Sequence, residues 1–289
     1  GGTLGILIPP SLSLIVFGAM TDQSIGQLFL GGVIPGILLT AAYMIYIAAR
    51  VRLSPHLVSD GVKVEKASWS ACFAALGQTW TVVVLFVGVM GSIYAGIATP
   101  TESAAIGCVL TFVIAIGYRL LSREVLARAL AGSVKTTSMV MCIFWAAKLM
   151  GIYLTYDQIT AQLSAMVLDL GLSPYLNLLV LVVFYLVLGM LMDGLAAMVM
   201  TLPLTFPIVM SLGFDPIWYG VLLTMLIEAG LLTPPVGMNL FILQGLRPDY
   251  PFAVLVRGAM PFFLVLLLVI AVIVAFPDIV TYLPRLVFP

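Results

Sequence analysis

Charged residues are scarce in this chain. Asp, Glu, Lys and Arg make up 8% of the 289 residues and hydrophobic residues 63%, whereas a soluble domain is about 25% charged. The mean hydropathy is +1.22. A water-soluble globule is therefore excluded, and the composition predicts an all-α polytopic membrane protein. The 12 basic residues balance the 12 acidic ones, so nothing in the charge indicates a nucleic-acid partner.

Residues suited to catalysis or metal chelation are also few. His56 is the only histidine, which excludes a His-paired zinc site and argues against a His-based catalytic triad. Cys72, Cys108 and Cys142 are odd in number and lie in apolar stretches, a pattern that favours unpaired thiols over a disulfide or a metal site. Walker A, Gly-x-Ser-x-Gly and His-Glu-x-x-His motifs are absent. We therefore expect neither an enzyme nor an organic cofactor.

A double proline interrupts an apolar segment that runs from about residue 217 to residue 243. Pro234 and Pro235 have no N–H group, so they remove the helical donors of the Gly230 and Leu231 carbonyls, and the helix is predicted to break there. A freed carbonyl in hydrocarbon is unfavourable by several kcal/mol unless protein, water or an ion satisfies it. The break is therefore a candidate ion or substrate site.

The same pattern occurs near the start of the chain. Gly5–Ser11 aligns with Gly230–Val236 at an offset of 225 residues, and each is followed at nearly the same distance by Gly-x-x-Pro in another apolar segment, at residues 30–35 and 256–261. The two copies predict an internal repeat built around discontinuous Pro-Pro helices.

Basic residues predict that the two copies have opposite orientations. The helix that follows the first break ends on Arg50 and Arg52, whereas in the second copy Arg247 and Arg257 flank the loop that follows the break, and Arg285 lies at the far end. Equivalent loops then lie on opposite sides of the membrane under the positive-inside rule. The repeats are therefore predicted to be inverted.

These patterns divide the chain into three parts. Residues 1–54 are the C-terminal part of the first inverted repeat, 55–78 a polar cytoplasmic connection, and 79–289 the second repeat. Within the second repeat, a re-entrant helical hairpin is predicted at about 175–212, with its tip near Met192 to Leu195, because Pro203 and Pro207 interrupt its second arm too much for a clean span. If the repeats are equal in length, roughly 150 further residues of the first repeat are expected upstream.

Three other segments complete the predicted architecture. Residues 64–76 form either an amphipathic interfacial helix anchored by Trp69 or a plain linker. Residues 126–150 are expected to form a tilted or interfacial helix with Lys135 and Lys148 on one side. Thr99 or Thr101 is the expected start of a helix with Glu102 in its first turn, where the helix dipole favours an acidic side chain.

The freed carbonyls predict a site for a hard cation such as Na⁺, which prefers carbonyl and hydroxyl oxygens. Its candidate ligands are the freed carbonyls and a nearby hydroxyl at each break, together with a carboxylate at the hairpin tip: Gly230, Leu231, Thr233 and Asp193 in the second copy, and Thr3, Gly5 and Ile6 in the first. Ser11 belongs to the same symmetric set and, with Asn239, is a candidate substrate contact. The alternative is that the prolines only kink the helices and that side chains cap the carbonyls.

Three further polar residues in apolar surroundings have open roles. Glu228 is either functional within the membrane or lies in the headgroup region. Asn239 either faces the substrate or the ion, or makes a packing hydrogen bond between helices. Lys148 either pairs with Asp157 or extends to the interface, and the second arrangement is favoured.

Five motifs in order along the chain resemble the large membrane subunit of the tripartite ATP-independent periplasmic (TRAP) transporters. They are Gly1–Ser11, Gly96–Ala105, Met192–Asp193, Gly213–Trp218 and Leu231–Asn239. The resemblance implies sodium-coupled uptake of an organic acid, of C4-dicarboxylate or sialic acid type, by a multi-pass protein of the bacterial inner membrane. It also implies a small four-helix membrane subunit and a periplasmic solute-binding protein as partners, and an elevator movement of the hairpin-containing domain.

Three other functions are compatible with parts of the sequence. A related two-repeat ion-coupled carrier or antiporter would work without a binding protein. A passive channel would not need a sodium gradient. An intramembrane aspartyl protease would use Asp157 and Asp193 as a pair, but it would lack the Gly-x-Gly-Asp motif and leave the Pro-Pro repeat unexplained.

Overall fold

The computed structural model describes residues 2, 4–54, 68, 70, 77, 79–234, 237–246 and 248–288. The described residues form helices joined by short connections. The predictions for Thr3, for Trp69 and for a helix at residues 64–76 concern residues that lie wholly or mostly outside this set. The helices, in chain order, are α1 (Leu4–Leu7), α2 (Leu12–Thr21), α3 (Ile25–Leu53), α4 (Trp80–Tyr94), α5 (Pro100–Gly117), α6 (Arg123–Tyr156), α7 (Ile159–Asp169), α8 (Pro174–Leu191), α9 (Gly194–Ser211), α10 (Pro216–Leu232), α11 (Met238–Leu246), α12 (Phe252–Ala275) and α13 (Asp278–Val287).

Within the described residues, seven helical segments are long and apolar enough to cross a membrane by length and composition. They are Leu4–Thr21, Ile25–Leu53, Pro100–Gly117, Arg123–Tyr156, Pro174–Leu191, Gly194–Ser211 and Phe252–Ala275. The prediction of an all-α, polytopic membrane protein is therefore confirmed.

The chain separates into two compact units. One comprises residues 44–137, and the other comprises residues 1–43 together with 138–289.

In the unit of residues 44–137, α4 and α5 pack against each other. The buried hydroxyl of Ser92 donates a hydrogen bond to the Ser103 hydroxyl at 2.9 Å. Thr99 is the N-cap of α5, and its side chain accepts from the Glu102 N–H while the Glu102 carboxylate accepts from the Thr99 N–H at 2.7 Å. Of the two candidate helix starts, Thr99 is confirmed, and this capping box fixes the first turn of α5.

In the other unit, α10 lies at the centre. Every residue from Ile217 to Leu232 is buried, which is the signature of a helix surrounded by other helices. The Trp218 indole N–H donates to the Ile273 carbonyl of α12 at 3.1 Å. That carbonyl has no helical donor, because residue 277, four positions on, is a proline, so Trp218 satisfies it and ties α12 to the core.

The second arm of the hairpin differs from the prediction. α9 is one continuous helix with Pro203 and Pro207 inside it, so the expectation that these prolines interrupt it too much for a clean span is wrong. Each proline removes a single hydrogen bond, and neighbouring helices and Thr hydroxyls can compensate for that loss. α6 also extends beyond the expected residues 126–150 at both ends.

Candidate functional site at the interrupted helices

The second interruption lies between α10 and α11. α10 ends at Leu232 and α11 begins at Met238. The Thr233 N–H donates to the Gly230 carbonyl at 3.0 Å, and the Thr233 hydroxyl donates to the Ala229 carbonyl at 2.7 Å. The sequence predicted that the Gly230 carbonyl would be freed, and this prediction is wrong. The chain turns after Leu232 and brings the Thr233 N–H back to that carbonyl. One lone pair of the oxygen remains unused.

No described residue donates to the Leu231 carbonyl. Gly237, beyond the break, has φ +45°, a backbone conformation that favours glycine. A Cβ atom placed on Gly237 would lie 3.0 Å from the Thr233 carbonyl oxygen and 3.4 Å from the Leu231 carbonyl oxygen. Two carbonyl oxygens therefore approach the same point next to the break, and carbonyl oxygens are ligands that a hard cation prefers.

The first interruption has a similar local structure. α1 ends at Leu7 and α2 begins at Leu12. The Ser11 hydroxyl donates to the Ile6 carbonyl, so Ile6 is capped, whereas no described residue donates to the Gly5 carbonyl. Ser11 is also the N-cap of α2 and is buried. Contact between Ser11 and a substrate would thus require its surroundings to move.

The first interruption lies against the half-helix that precedes the second. Ile6 and Leu7 line a narrow crevice together with Thr224 and Glu228 of α10. α3 holds α1 in this position, since a Cβ atom on Gly32 would lie 2.7 Å from the Leu7 carbonyl oxygen. The residues that precede the first proline pair therefore lie beside α10, the helix that precedes the second pair.

The tip of the helical hairpin packs against α10 just before the second break. Asp193 is the N-cap of α9, and its carboxylate Oδ2 accepts from the Ala196 N–H at 3.2 Å. Gly194, the next residue, is buried against the side chains of Ile227 and Leu231. The predicted tip residue Asp193 is exposed and lies one residue from this contact.

Gly189 was not predicted to be important. A Cβ atom on Gly230 would lie 2.6 Å from the Gly189 Cα atom, and one on Gly189 would lie 2.9 Å from the Gly230 Cα atom. α8 and α10 thus meet backbone to backbone at the level of the break. A small residue in an otherwise large apolar helix is the sequence signal for such a contact.

The polar residues with open roles are also placed. Asn239 Nδ2 donates to the Glu228 carboxylate Oε1 at 3.2 Å across the break, and Glu228 is 3% exposed. Glu228 therefore lies inside the protein, where the alternative placed it in the headgroup region. Lys148 Nζ lies 3.5 Å from the Met20 carbonyl at the end of α2, and the ion pairs of the described residues do not include one with Asp157.

Lys148 also borders a cavity of about 560 Å³ between α2, α6 and α9. Its lining includes three residues with hydroxyl groups, Thr21, Thr155 and Tyr156. Pro203 and Phe206 of α9 form part of its apolar wall. The Phe144 ring centroid lies 5.6 Å from the ammonium group. Lys148 is half-buried and contacts the end of α2, and the expectation that it extends to the membrane interface stays a prediction.

In the part of the chain that the structure describes, all regular elements are helices, seven segments could span a membrane, and two helices are interrupted next to proline pairs. These features define a multi-pass membrane protein. Residues 1–279 match the family model described as "Tripartite ATP-independent periplasmic transporter, DctM component". The chain belongs to this family.

Curated relatives with known names support this assignment. The chain is 38% identical over 287 residues to the C4-dicarboxylate TRAP transporter large permease protein DctM of Pseudomonas aeruginosa, covering 98% of this chain and 65% of the relative. It is 30% identical over 286 residues to the sialic acid TRAP transporter large permease protein SiaM of Vibrio cholerae, with 98% and 65% covered. It is 31% identical over 284 residues to the 2,3-diketo-L-gulonate TRAP transporter large permease protein YiaN of Escherichia coli, with 97% and 65% covered. The chain thus spans about two thirds of the length of these relatives.

Proposed function

We propose that this chain is part of the membrane subunit of a sodium-coupled secondary transporter, and that the interrupted helices hold the coupling Na⁺. The observation that carries the proposal is the pair of carbonyl oxygens, from Leu231 and Thr233, that approach the same point beside Gly237. Carbonyl oxygens left without helical donors inside a membrane protein are tolerated where an ion or water satisfies them. Leu231, Thr233 and Gly230 are the proposed ligands at this break, with Asp193 at the hairpin tip supplying charge.

The same logic applies to the first break. Gly5 has a carbonyl without a described donor, and Ile6 has one capped by Ser11, so these two residues and Thr3 form the proposed symmetric set. The order of elements supports an internal repeat, because in both parts a helix, a break and a short helix precede a long helix with an internal proline, namely α3 with Pro35 and α12 with Pro261.

The proposed substrate is an organic acid. The names of the relatives specify C4-dicarboxylate, sialic acid and 2,3-diketo-L-gulonate, and all three compounds carry a carboxylate. Half-helix N-termini next to a broken helix can bind such a group without an arginine. Ser11 caps α2, and Asn239 lies in the first turn of α11, and these positions near helix N-termini support the proposal that both residues contact the substrate.

The proposed partners are a periplasmic solute-binding protein and a small four-helix membrane subunit, in the bacterial inner membrane. The family description names a tripartite, periplasmic system. One relative, the isethionate TRAP transporter permease protein DctMQ of Oleidesulfovibrio alaskensis, is 32% identical over 245 residues, which is 84% of this chain and 38% of the relative.

An elevator movement of the hairpin α8–α9 with α10 is the proposed mechanism, since the hairpin packs on α10 through Gly189 and Gly194.

Thr233→Ala tests the ion site in the full-length protein, reconstituted with its partners in proteoliposomes. We expect the Na⁺ concentration for half-maximal uptake to rise several-fold while expression stays near normal, because the hydroxyl beside the carbonyls is lost. Thr233→Ser is the matched control, since it keeps the hydroxyl that donates to Ala229. An unchanged Na⁺ dependence in Thr233→Ala would exclude the hydroxyl as a ligand.

The same proteoliposomes separate this function from its rivals. Uptake should require both an inward Na⁺ gradient and the substrate-loaded binding protein. Uptake of free substrate without the binding protein would indicate the ion-coupled carrier, and flux without a Na⁺ gradient would indicate a passive channel. The substrate for this assay is the ligand of the binding protein, which is identified through the gene that encodes that protein.

A further inference from the structure

Glu228 is a buried carboxylate with one unused oxygen. Its side chain lies on the central helix α10 and is 3% exposed. Oε1 accepts the hydrogen bond from Asn239 Nδ2, whereas Oε2 is buried and has no hydrogen-bond partner among the described residues. The described ion pairs join Arg128 to Glu124 and Arg285 to Asp278 and leave Glu228 without a basic partner. A negative charge buried in this way is strongly unfavourable unless a cation compensates it or the carboxylate takes up a proton.

The surroundings of Glu228 supply further oxygens of the kind that bind Na⁺. Thr224, one turn earlier on α10, lines the same crevice, and its hydroxyl donates to the Gly220 carbonyl at 2.9 Å, so its lone pairs stay available. Asn239 uses its amide nitrogen on Glu228, and its amide oxygen can still accept. A carboxylate, a hydroxyl and an amide oxygen are all hard ligands.

The crevice places this group between the two interrupted helices. Ile6 and Leu7, which immediately precede the first break, form its opposite wall. Glu228 lies two residues before Gly230 at the second break, but Gly230 faces α8 through Gly189, whereas Glu228 faces α1. The carboxylate is therefore on a different side of α10 from the backbone contact at the break.

We propose that Glu228 Oε2 is a direct ligand of a coupling Na⁺ at a site between α1 and α10, with Thr224 and Asn239 supplying neutral oxygens. This site rests on the proposed sodium-coupled function and adds to it an anionic ligand distinct from the carbonyls at the break. The competing explanation is that Glu228 only holds Asn239, and thereby α11, in place across the break. The two explanations differ in whether the negative charge is needed.

Glu228→Gln separates them, because glutamine keeps the size of the side chain and an oxygen that accepts from Asn239 but carries no charge. The full-length protein is purified in detergent, and its thermal unfolding midpoint is followed as NaCl replaces choline chloride at constant ionic strength. The wild type should be stabilised by Na⁺. Glu228→Gln should need at least ten times more Na⁺ for the half-maximal shift, while its midpoint in choline chloride should not fall below that of the wild type. Glu228→Asp, which keeps the charge, should recover part of the response.

A wild-type Na⁺ response in Glu228→Gln would overturn the proposal and leave the sodium-coupled function intact. A wild type that shows no difference between Na⁺ and choline would instead count against sodium coupling itself, and with it this site. If Glu228→Gln does not accumulate, Thr224→Val tests the same site with little change in volume. It should weaken the Na⁺ response at least three-fold, and an unchanged response would overturn the proposal.

Discussion

The close contact between Gly230 and Gly189 makes a quantitative prediction. In Gly230→Ala, the new Cβ atom would lie 2.6 Å from the Gly189 Cα atom and 2.9 Å from its carbonyl carbon. Ordinary van der Waals contact between carbon atoms requires about 3.5–4.0 Å, so α8 and α10 would have to separate by about 1 Å at this point. Both atoms belong to the backbone, so no side-chain rotation can relieve the overlap. Overpacking of this kind destabilises by typically 1–3 kcal/mol.

The assay is thermal unfolding of the full-length protein in detergent. Each kcal/mol lowers the midpoint by roughly 2–4 °C in a protein of this size, so Gly230→Ala should lower it by several degrees. Gly189→Ala should act in the same direction, because its Cβ atom would lie 2.9 Å from the Gly230 Cα atom. Uptake should also fall, since the hairpin arm would move away from α10 beside the proposed ion site.

Gly258→Ala is the matched control. Gly258 is also inside a helix of the same unit, and a Cβ atom there would meet nothing within 4 Å. Alanine has the higher helix propensity by about 1 kcal/mol, so this variant should be neutral or slightly stabilised. A Gly230→Ala midpoint equal to that of Gly258→Ala would refute the argument that the backbones of α8 and α10 must touch.

Three further substitutions test separate parts of the structure by the same unfolding assay. Thr99→Ala should destabilise by about 0.5–2 kcal/mol, because it removes the N-cap that Glu102 completes. Trp218→Phe should destabilise by about 1–3 kcal/mol, because the buried Ile273 carbonyl loses the donor that replaces a missing helical one. Gly32→Ala should destabilise by about 1–3 kcal/mol, because its methyl group would lie 2.7 Å from a carbonyl oxygen of α1.

Each of the three has an outcome that would contradict it. Thr101→Ala alters the neighbouring threonine, which is not the N-cap, so Thr99→Ala must be less stable than this control. A Trp218→Phe variant as stable as the wild type would mean that the Ile273 carbonyl finds another donor. For Gly32→Ala, the comparison is Gly258→Ala. Equal unfolding midpoints would show that α1 moves away from the new methyl group without a loss of stability.

The positions of the helix breaks could be predicted from the sequence. A proline lacks the N–H group wherever it stands, so Pro9, Pro10 and Pro234 mark places where the helical hydrogen bonds must change partners. The fate of the released carbonyls could not be predicted in the same way. The donor to Gly230 is the backbone of Thr233, and the donor to Ile6 is the Ser11 hydroxyl. Both depend on how the chain turns after the helix, which local rules do not specify.

Contacts between distant segments also required the structure. Glu228 and Asn239 are 11 residues apart and on separate helices, so helical periodicity gives no reason to pair them. Gly189 contacts Gly230 because α8 packs against α10. The spacing of the two glycines in the sequence does not predict this contact. α9 shows the opposite case, since the local rule for proline argued for interruption at Pro203 and Pro207, whereas the helix is continuous through both.

A high-resolution structure of the full-length protein, determined once in NaCl and once in choline chloride, would show whether the interrupted helices bind Na⁺. We expect density for an ion in contact with the Leu231 and Thr233 carbonyl oxygens, present in NaCl and absent in choline chloride. The same map shows whether Glu228 Oε2 contacts an ion. Identical maps in the two salts, with every carbonyl at both breaks bonded to a protein donor, would contradict the claim that the interrupted helices bind the coupling cation.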